Sequence, residues 1–167
     1  MQEDIIELAM SYSGRVGGVK YKFGTSNVQS DSLNDALSPE SNSSGARVAF
    51  GRYVLGLNLS EYENLDQLPD GEYAAAKIEV ENIGLRYRLG RGQQIGLAWT
   101  SSEANNRDGA LTTAYDEWMI GGGRRLGKGL QLGYYYAVSE VDRPLVNDDD
   151  KKGAEIATLG LTLDVRF

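Results

Sequence analysis

The 167-residue chain contains no cysteine. It therefore holds no disulfide, no thiolate metal site and no cysteine nucleophile. Histidine is absent too. That excludes Ser-His-Asp and Cys-His catalysis, imidazole zinc sites and the usual proton shuttle at neutral pH. Proline is scarce, at 3 residues. No apolar run approaches the roughly 20 residues that a membrane-crossing helix needs. The opening Met1-Gln2-Glu3-Asp4 has neither a basic n-region nor an apolar h-region, so no secretory signal is read there. A secreted reading then requires a processed or truncated chain. Lys and Arg number 17 against 24 Asp and Glu, a net charge of -7. A chain this acidic is not expected to bind duplex nucleic acid.

What the chain does contain is 21 Gly, 10 Tyr and a sustained period of 2. From Thr158 the sequence runs T-L-G-L-T-L-D-V-R-F. Leu159, Leu161, Leu163, Val165 and Phe167 share one face; Gly160, Thr162, Asp164 and Arg166 share the other. That is a β-strand with one apolar and one polar side. The same alternation recurs in Ile6–Tyr12, Val19–Phe23, Ala46–Phe50, Tyr53–Leu59, Ile95–Trp99 and Leu130–Val138. Trp118 and Ile120 add a segment that leads into Gly121-Gly122-Gly123. Nine strand-like segments result. The mean hydropathy of -0.40 does not oppose a membrane barrel, because every second strand residue is polar and the average cancels.

Two segments carry specific expectations. Between Ala75 and Leu89 the apolar phase changes: Ile78 and Val80 are even, while Ile83, Leu85, Tyr87 and Leu89 are odd. One extra residue near Glu81-Asn82 restores the pleat, so a β-bulge is expected there. The stretch from Asn27 to Ser44 is rich in Ser, Asn and Asp and reads as a long exposed loop. Further loops are read near Glu63–Glu72, with a turn at Pro69-Asp70-Gly71, at Asn105–Gly109, and around Asp148-Asp149-Asp150. Short glycine-rich links thus alternate with long acidic loops. Antiparallel neighbours joined this way put the short turns at one end and the long loops at the other. The expected fold is all-β, an antiparallel up-and-down transmembrane β-barrel of about 8–10 strands, with residues 1–167 as one domain.

The polar face decides which side is inside. It mixes Gly24, Gly56, Gly96, Gly133 and Gly160 with long charged residues. Glycine weakens a solvent-facing strand, whereas charges among glycines suit a curved wall around an aqueous lumen. The apolar face is aromatic near its ends. Tyr12, Phe50, Tyr53, Tyr87 and Phe167 lie toward the short turns, and Trp99 and Trp118 toward the long loops. Two aromatic girdles fit the two membrane interfaces. The alternative is that these rings form the core of a soluble sandwich.

On the ending Leu163-Asp164-Val165-Arg166-Phe167, and on the hairpins Phe50–Leu57 and Leu126–Tyr134, the chain resembles the C-terminal part of a Gram-negative general diffusion porin. The resemblance implies a bacterial outer-membrane location and contact with outer-membrane lipid and lipopolysaccharide. It implies that the barrel assembly machinery reads Phe167, and that the chains form a homotrimer. A porin of this kind has about 16 strands. Nine strands also start the first segment on the loop side. That implies a miscounted strand or an N-terminal half outside this sequence. No segment matches the inward-folded constriction loop.

The expected pore lining has Lys20, Lys22, Arg47, Arg52, Lys77, Arg86, Arg88 and Arg166 against Glu7, Glu79, Glu81 and Asp164. A basic wall sets a preference for anions without a dedicated binding site. Arg86 and Arg88 project side by side into the lumen in this reading. The alternative is an ion-pair network with Glu79 and Glu81 that fills a narrow barrel serving as an anchor or adhesin. Asp148-Asp149-Asp150 lacks the spacing of a calcium loop and reads as a solvated tip. Gly121-Gly122-Gly123-Arg124-Arg125 lacks Walker spacing and reads as a flexing strand near the narrow end. A barrel enzyme is a further alternative, in which carboxylate pairs such as Glu79 and Glu81 serve acid-base chemistry, but neither a histidine nor a defined pocket accompanies them. No enzyme activity, cofactor or metal is expected.

Overall fold

A computed structural model describes residues 5–30, 39–63, 77–90, 92–106, 109–144 and 153–165. Nine strands follow one another: β1 (Ile5–Val16), β2 (Val19–Ser30), β3 (Glu40–Phe50), β4 (Tyr53–Glu63), β5 (Lys77–Gly90), β6 (Gln93–Asn105), β7 (Leu111–Gly127), β8 (Leu130–Asp142) and β9 (Gly153–Val165). They form one antiparallel sheet in sequence order. Each strand pairs only with its chain neighbours, so the sheet is open. Among the described residues β1 and β9 do not meet.

The alternation read from the sequence becomes two faces. Opposed residues in an antiparallel pair share a side. Leu55, Leu85, Leu97, Ile120, Tyr136 and Leu159 therefore form one cross-strand row. Gly56, Gly84, Ala98, Met119, Ala137 and Thr158 form the row behind it. The glycine-bearing face is the sheltered one: Val54 is 7% exposed and Ala137 1%, whereas Leu97 is 52% exposed and Trp118 64%. A curved sheet shades its concave side, so the polar, glycine-rich face lies inside the curve.

Glycine lets the wall close up where rings cross it. A Cβ on Gly122 would lie 2.7 Å from the Tyr134 hydroxyl and 2.7 Å from the Gln94 carbonyl oxygen. The Tyr135 ring covers Gly160 in the same way on the concave face. Gly121-Gly122-Gly123 sits inside β7 in unbroken register with β6 and β8. These residues are a thin, paired part of the wall.

Two sequence expectations are corrected. The loop assigned to Asn27–Ser44 is strand at both of its ends, because β2 runs to Ser30 and β3 begins at Glu40. Its polar residues bond sideways: Asn27 Nδ2 donates to Asn42 Oδ1 (2.8 Å) and to Glu40 Oε1 (2.9 Å). Ser44 Oγ donates to Thr25 Oγ1 (3.0 Å). Cross-strand polar pairs stabilise a sheet as apolar ones do, and composition alone misses them. There is also no bulge at Glu81-Asn82. The register of β5 with β4 and β6 is regular from Lys77 to Arg88 and shifts only between Arg88 and Gly90. The phase change is instead a reversal of polarity along a regular strand. The turn at Pro69-Asp70-Gly71 and the run Asp148-Asp149-Asp150 lie outside the described residues.

Candidate pore wall

Five of the basic residues singled out in the sequence share the concave face. Lys20 and Lys22 come from β2, Arg47 from β3, and Arg86 and Arg88 from β5. Register brings them together. Lys22 is opposite Arg47, while Lys20, Ala49, Val54 and Arg86 form one row across four strands. β4 supplies only Val54 and Gly56 between Arg47 and Arg86. Small residues there leave a recess of about 470 Å³ lined by Arg47, Val54, Gly56, Gly84, Arg86 and Gly96. A second recess, about 400 Å³, lies among Lys20, Lys22, Arg47 and Arg88.

No carboxylate balances this cluster within bonding distance among the described residues. The ion pairs found there lie elsewhere: Lys77 Nζ is 3.1 Å from Glu61 Oε2 and 2.9 Å from Glu79 Oε1. Arg86 is repelled by Arg47 and Arg88. Its Nε is buried and has no hydrogen-bond acceptor. A buried donor without a partner costs free energy. An anion entering the recess would relieve that cost, and a planar, two-oxygen acceptor matches guanidinium geometry best.

Other expected residues fall differently. Lys77, Glu79 and Glu81 lie on the outer face, in the rows of Glu63, Glu61 and Leu59. The expectation that Lys77, Glu79 and Glu81 line the lumen is therefore corrected. It depended on the absent bulge, which would have moved them across the sheet. The same parity separates Arg86 and Arg88 from Glu79 and Glu81, so that ion-pair network does not form. Arg52 sits in the β3–β4 turn, where its carbonyl accepts from the Arg88 amide (2.9 Å). Glu7 and Asp164 are on the concave side, opposite Val28 and Gln131. Arg166 and Phe167 lie outside the described residues.

The outer face carries the expected aromatics. Phe50 stacks on Tyr53 at 5.4 Å, and Tyr53 meets Tyr87 at 4.8 Å. Tyr12 contacts Tyr21 at 5.9 Å. Nearer the long connections, Trp99 and Trp118 pair at 6.2 Å. Immediately beyond that pair the face becomes acidic, with Glu81, Asp116, Glu140 and Glu155 in the next row.

Sequence reasoning missed Arg15 and Arg125 on the concave face, opposite Lys20 and Gln131, and also Glu117. Glu117 stands opposite Thr100 and Ser139. Its Oε2 accepts from the Tyr115 hydroxyl (2.8 Å) and from Ser139 Oγ (2.9 Å). The signal was available: Glu117 adjoins outward-facing Trp118 and so faces the other way.

No family model matches this sequence, and no curated protein matches it. Solved structures do. OccAB2 of Acinetobacter baumannii aligns with a TM-score of 0.69 at 12% identity, over 98% of this chain and 47% of that one. OccK1 (OpdK) of Pseudomonas aeruginosa aligns with a TM-score of 0.70 at 12% identity, over 98% of this chain and 48% of that one. The chain spans about half the length of these solved proteins. At this identity the likeness is one of fold. The nine antiparallel strands, with their glycine-rich concave face and apolar convex face, have a porin-like fold.

Proposed function

We propose that the chain builds the wall of a water-filled outer-membrane channel through which small hydrophilic solutes and ions diffuse, with a preference for anions. The observation that carries this reading is the unbalanced basic cluster of Lys20, Lys22, Arg47, Arg86 and Arg88 on the concave face. The porin-like fold supports it. So does the convex face, whose apolar rows end in tyrosine and phenylalanine on one side and tryptophan on the other. Lipid hydrocarbon accepts such a face, and interfacial rings anchor it. In this reading Tyr12, Phe50, Tyr53, Tyr87, Trp99 and Phe167 belong to the two girdles, and Phe167 is the residue read during assembly. Outer-membrane lipid and lipopolysaccharide are its surroundings, and a homotrimer is its assembled state.

The competing reading, a small closed barrel with a filled lumen, needs β1 to pair with β9. The described residues contain no such pair. It also needs the arginines neutralised from within, and Glu79 and Glu81 are on the wrong face for that.

The test is conductance of the refolded full chain in a planar bilayer under a salt gradient. Stable steps with an anion-selective reversal potential are expected. Replacing Arg86 and Arg88 together by Ser moves that potential toward cations. An unchanged potential refutes selection by the wall, and a folded but silent protein refutes the channel.

A further inference from the structure

A third recess, about 380 Å³, opens on the concave face, on the far side of Arg47 from Arg86. Its floor is Gly24 opposite Gly45, well inside β2 and β3. Glycine inside a strand gives up side-chain packing and marks a place where another group comes close to the backbone. Little from the protein fills that space: a Cβ on Gly24 would meet no atom of another strand nearer than 3.6 Å. The two ends of the recess differ in chemistry. Toward the short turns stand Lys22 and Arg47, opposite each other. Toward the long connections stand Ser26 and Ser43, also opposite each other. Asn58 closes one side, opposite Gly45. Four residues separate cation from serine on each strand, about 13 Å of β-structure, and the long Lys and Arg side chains span part of it.

Each end lacks something that a solute can bring. Lys22 and Arg47 have no hydrogen-bond or ionic partner among the described residues. Arg15 and Lys20 face each other in the next row and add positive charge. A carboxylate brings one negative charge, whereas a phosphate monoester brings nearly two at neutral pH. Lysine holds a phosphate as a point charge, and arginine holds it through a two-bond fork. At the other end, the Ser26 hydroxyl has no partner among the described residues. Ser43 Oγ donates to Asn58 Oδ1 (3.3 Å), and Asn58 Nδ2 donates to Ser60 Oγ (2.9 Å). The second amide hydrogen of Asn58 remains free to donate. Hydroxyls both donate and accept, so this end suits the hydroxyls of a solute. We infer that the recess is a subsite for a phosphate monoester of a polyol, such as a sugar phosphate. The phosphate lies between Lys22 and Arg47, and the hydroxyls point toward Ser26, Ser43 and Asn58. This assignment rests on the concave face being water-lined, as in the proposed channel.

The experiment is an NMR titration of the full chain refolded in detergent micelles, read on the Asn58 side-chain amide signal, which Asn58→Asp identifies by its loss. The probes are glucose 6-phosphate, glucuronate, cyclohexyl phosphate and glucose. Glucose 6-phosphate should shift the signal saturably and bind more tightly than each of the others. Arg47→Gln should weaken it by roughly tenfold, a size expected for one charged hydrogen bond. Ser26→Ala should weaken it by roughly two- to threefold and leave cyclohexyl phosphate unchanged. Equal binding of glucuronate, which has the hydroxyls and a single charge, overturns the assignment. So does equal binding of cyclohexyl phosphate, which has the phosphate and no hydroxyl, or an unchanged affinity in Arg47→Gln. The comparison of probes on the unaltered chain decides the matter even where a variant does not fold. Binding of glucose 6-phosphate by a protein silent in bilayers leaves the subsite standing and removes the channel. Anion-selective steps without that binding remove the subsite and leave the channel.

Discussion

Two zones of one sheet obey opposite rules. In the zone nearer the short turns, the convex side is apolar (Leu55, Leu85, Leu97, Ile120) and the concave side holds Arg47, Arg86 and Arg88. In the zone nearer the long connections, the convex side is acidic (Glu61, Glu79, Glu103, Asp142) and the concave side holds Ile78, Val80 and Val141. The backbone does not change between them; β5 runs through the boundary in regular register. The surroundings change instead. Apolar-in, polar-out is the pattern of a sheet facing water on one side. Its inverse is the pattern of a wall facing lipid outside and water inside. Under the proposed placement, the row of Trp99 and Trp118 marks where the bilayer stops and the strands stand in water.

The largest effect should come from breaking the rule in the apolar zone. Leu97→Arg places a charge in mid-band and should cost about 2–4 kcal/mol in urea unfolding from liposomes. Glu81→Leu, across the boundary, should stay within about 0.5 kcal/mol. Equal costs at the two sites would erase the boundary. Next is wall packing. Gly122→Ala forces the Tyr134 ring or the Gln94 carbonyl to move and should cost about 1–3 kcal/mol. Gly153→Ala in the acidic zone meets only the Val141 oxygen, at 3.4 Å, and should be tolerated. Heat-modifiable gel mobility reads both. Smaller still is the boundary pair. A double-mutant cycle on Trp99 and Trp118 should give a coupling of about 0.5–1.5 kcal/mol. A coupling of zero would make them independent anchors. Smallest is Lys77→Met: its bridges to Glu61 and Glu79 are exposed, so any change in the urea midpoint should vanish at high salt.

The number of strands, their antiparallel order and the inward choice of the glycine-rich face were legible because a period of 2 survives in each segment. Lys20, Lys22, Arg47, Arg86 and Arg88 were placed correctly on that face for the same reason. Lys77, Glu79 and Glu81 were not. Reading Ile78 and Val80 as outward assumes that apolar always means outward, and that holds in one zone only. The strand ends in 27–30 and 40–44 were hidden because serine and asparagine pair across strands there without leaving a hydrophobic trace. Glu117 was legible by parity with Trp118. What singles it out, the Ser139 hydroxyl on the next strand, depends on register, and a single segment does not encode that.

The open sheet has a consequence in arithmetic. Consecutive antiparallel strands alternate in direction, so β1 and β9, eight steps apart, point the same way. A strand that pairs antiparallel with β9 must point the other way, and so must one that pairs antiparallel with β1. Only an odd number of further strands satisfies both edges, giving an even total. Two copies set edge to edge in the same orientation would instead join β9 to β1 in parallel, at both seams. Turning one copy over restores the antiparallel seams, and then sends its acidic rim to the opposite side of the membrane.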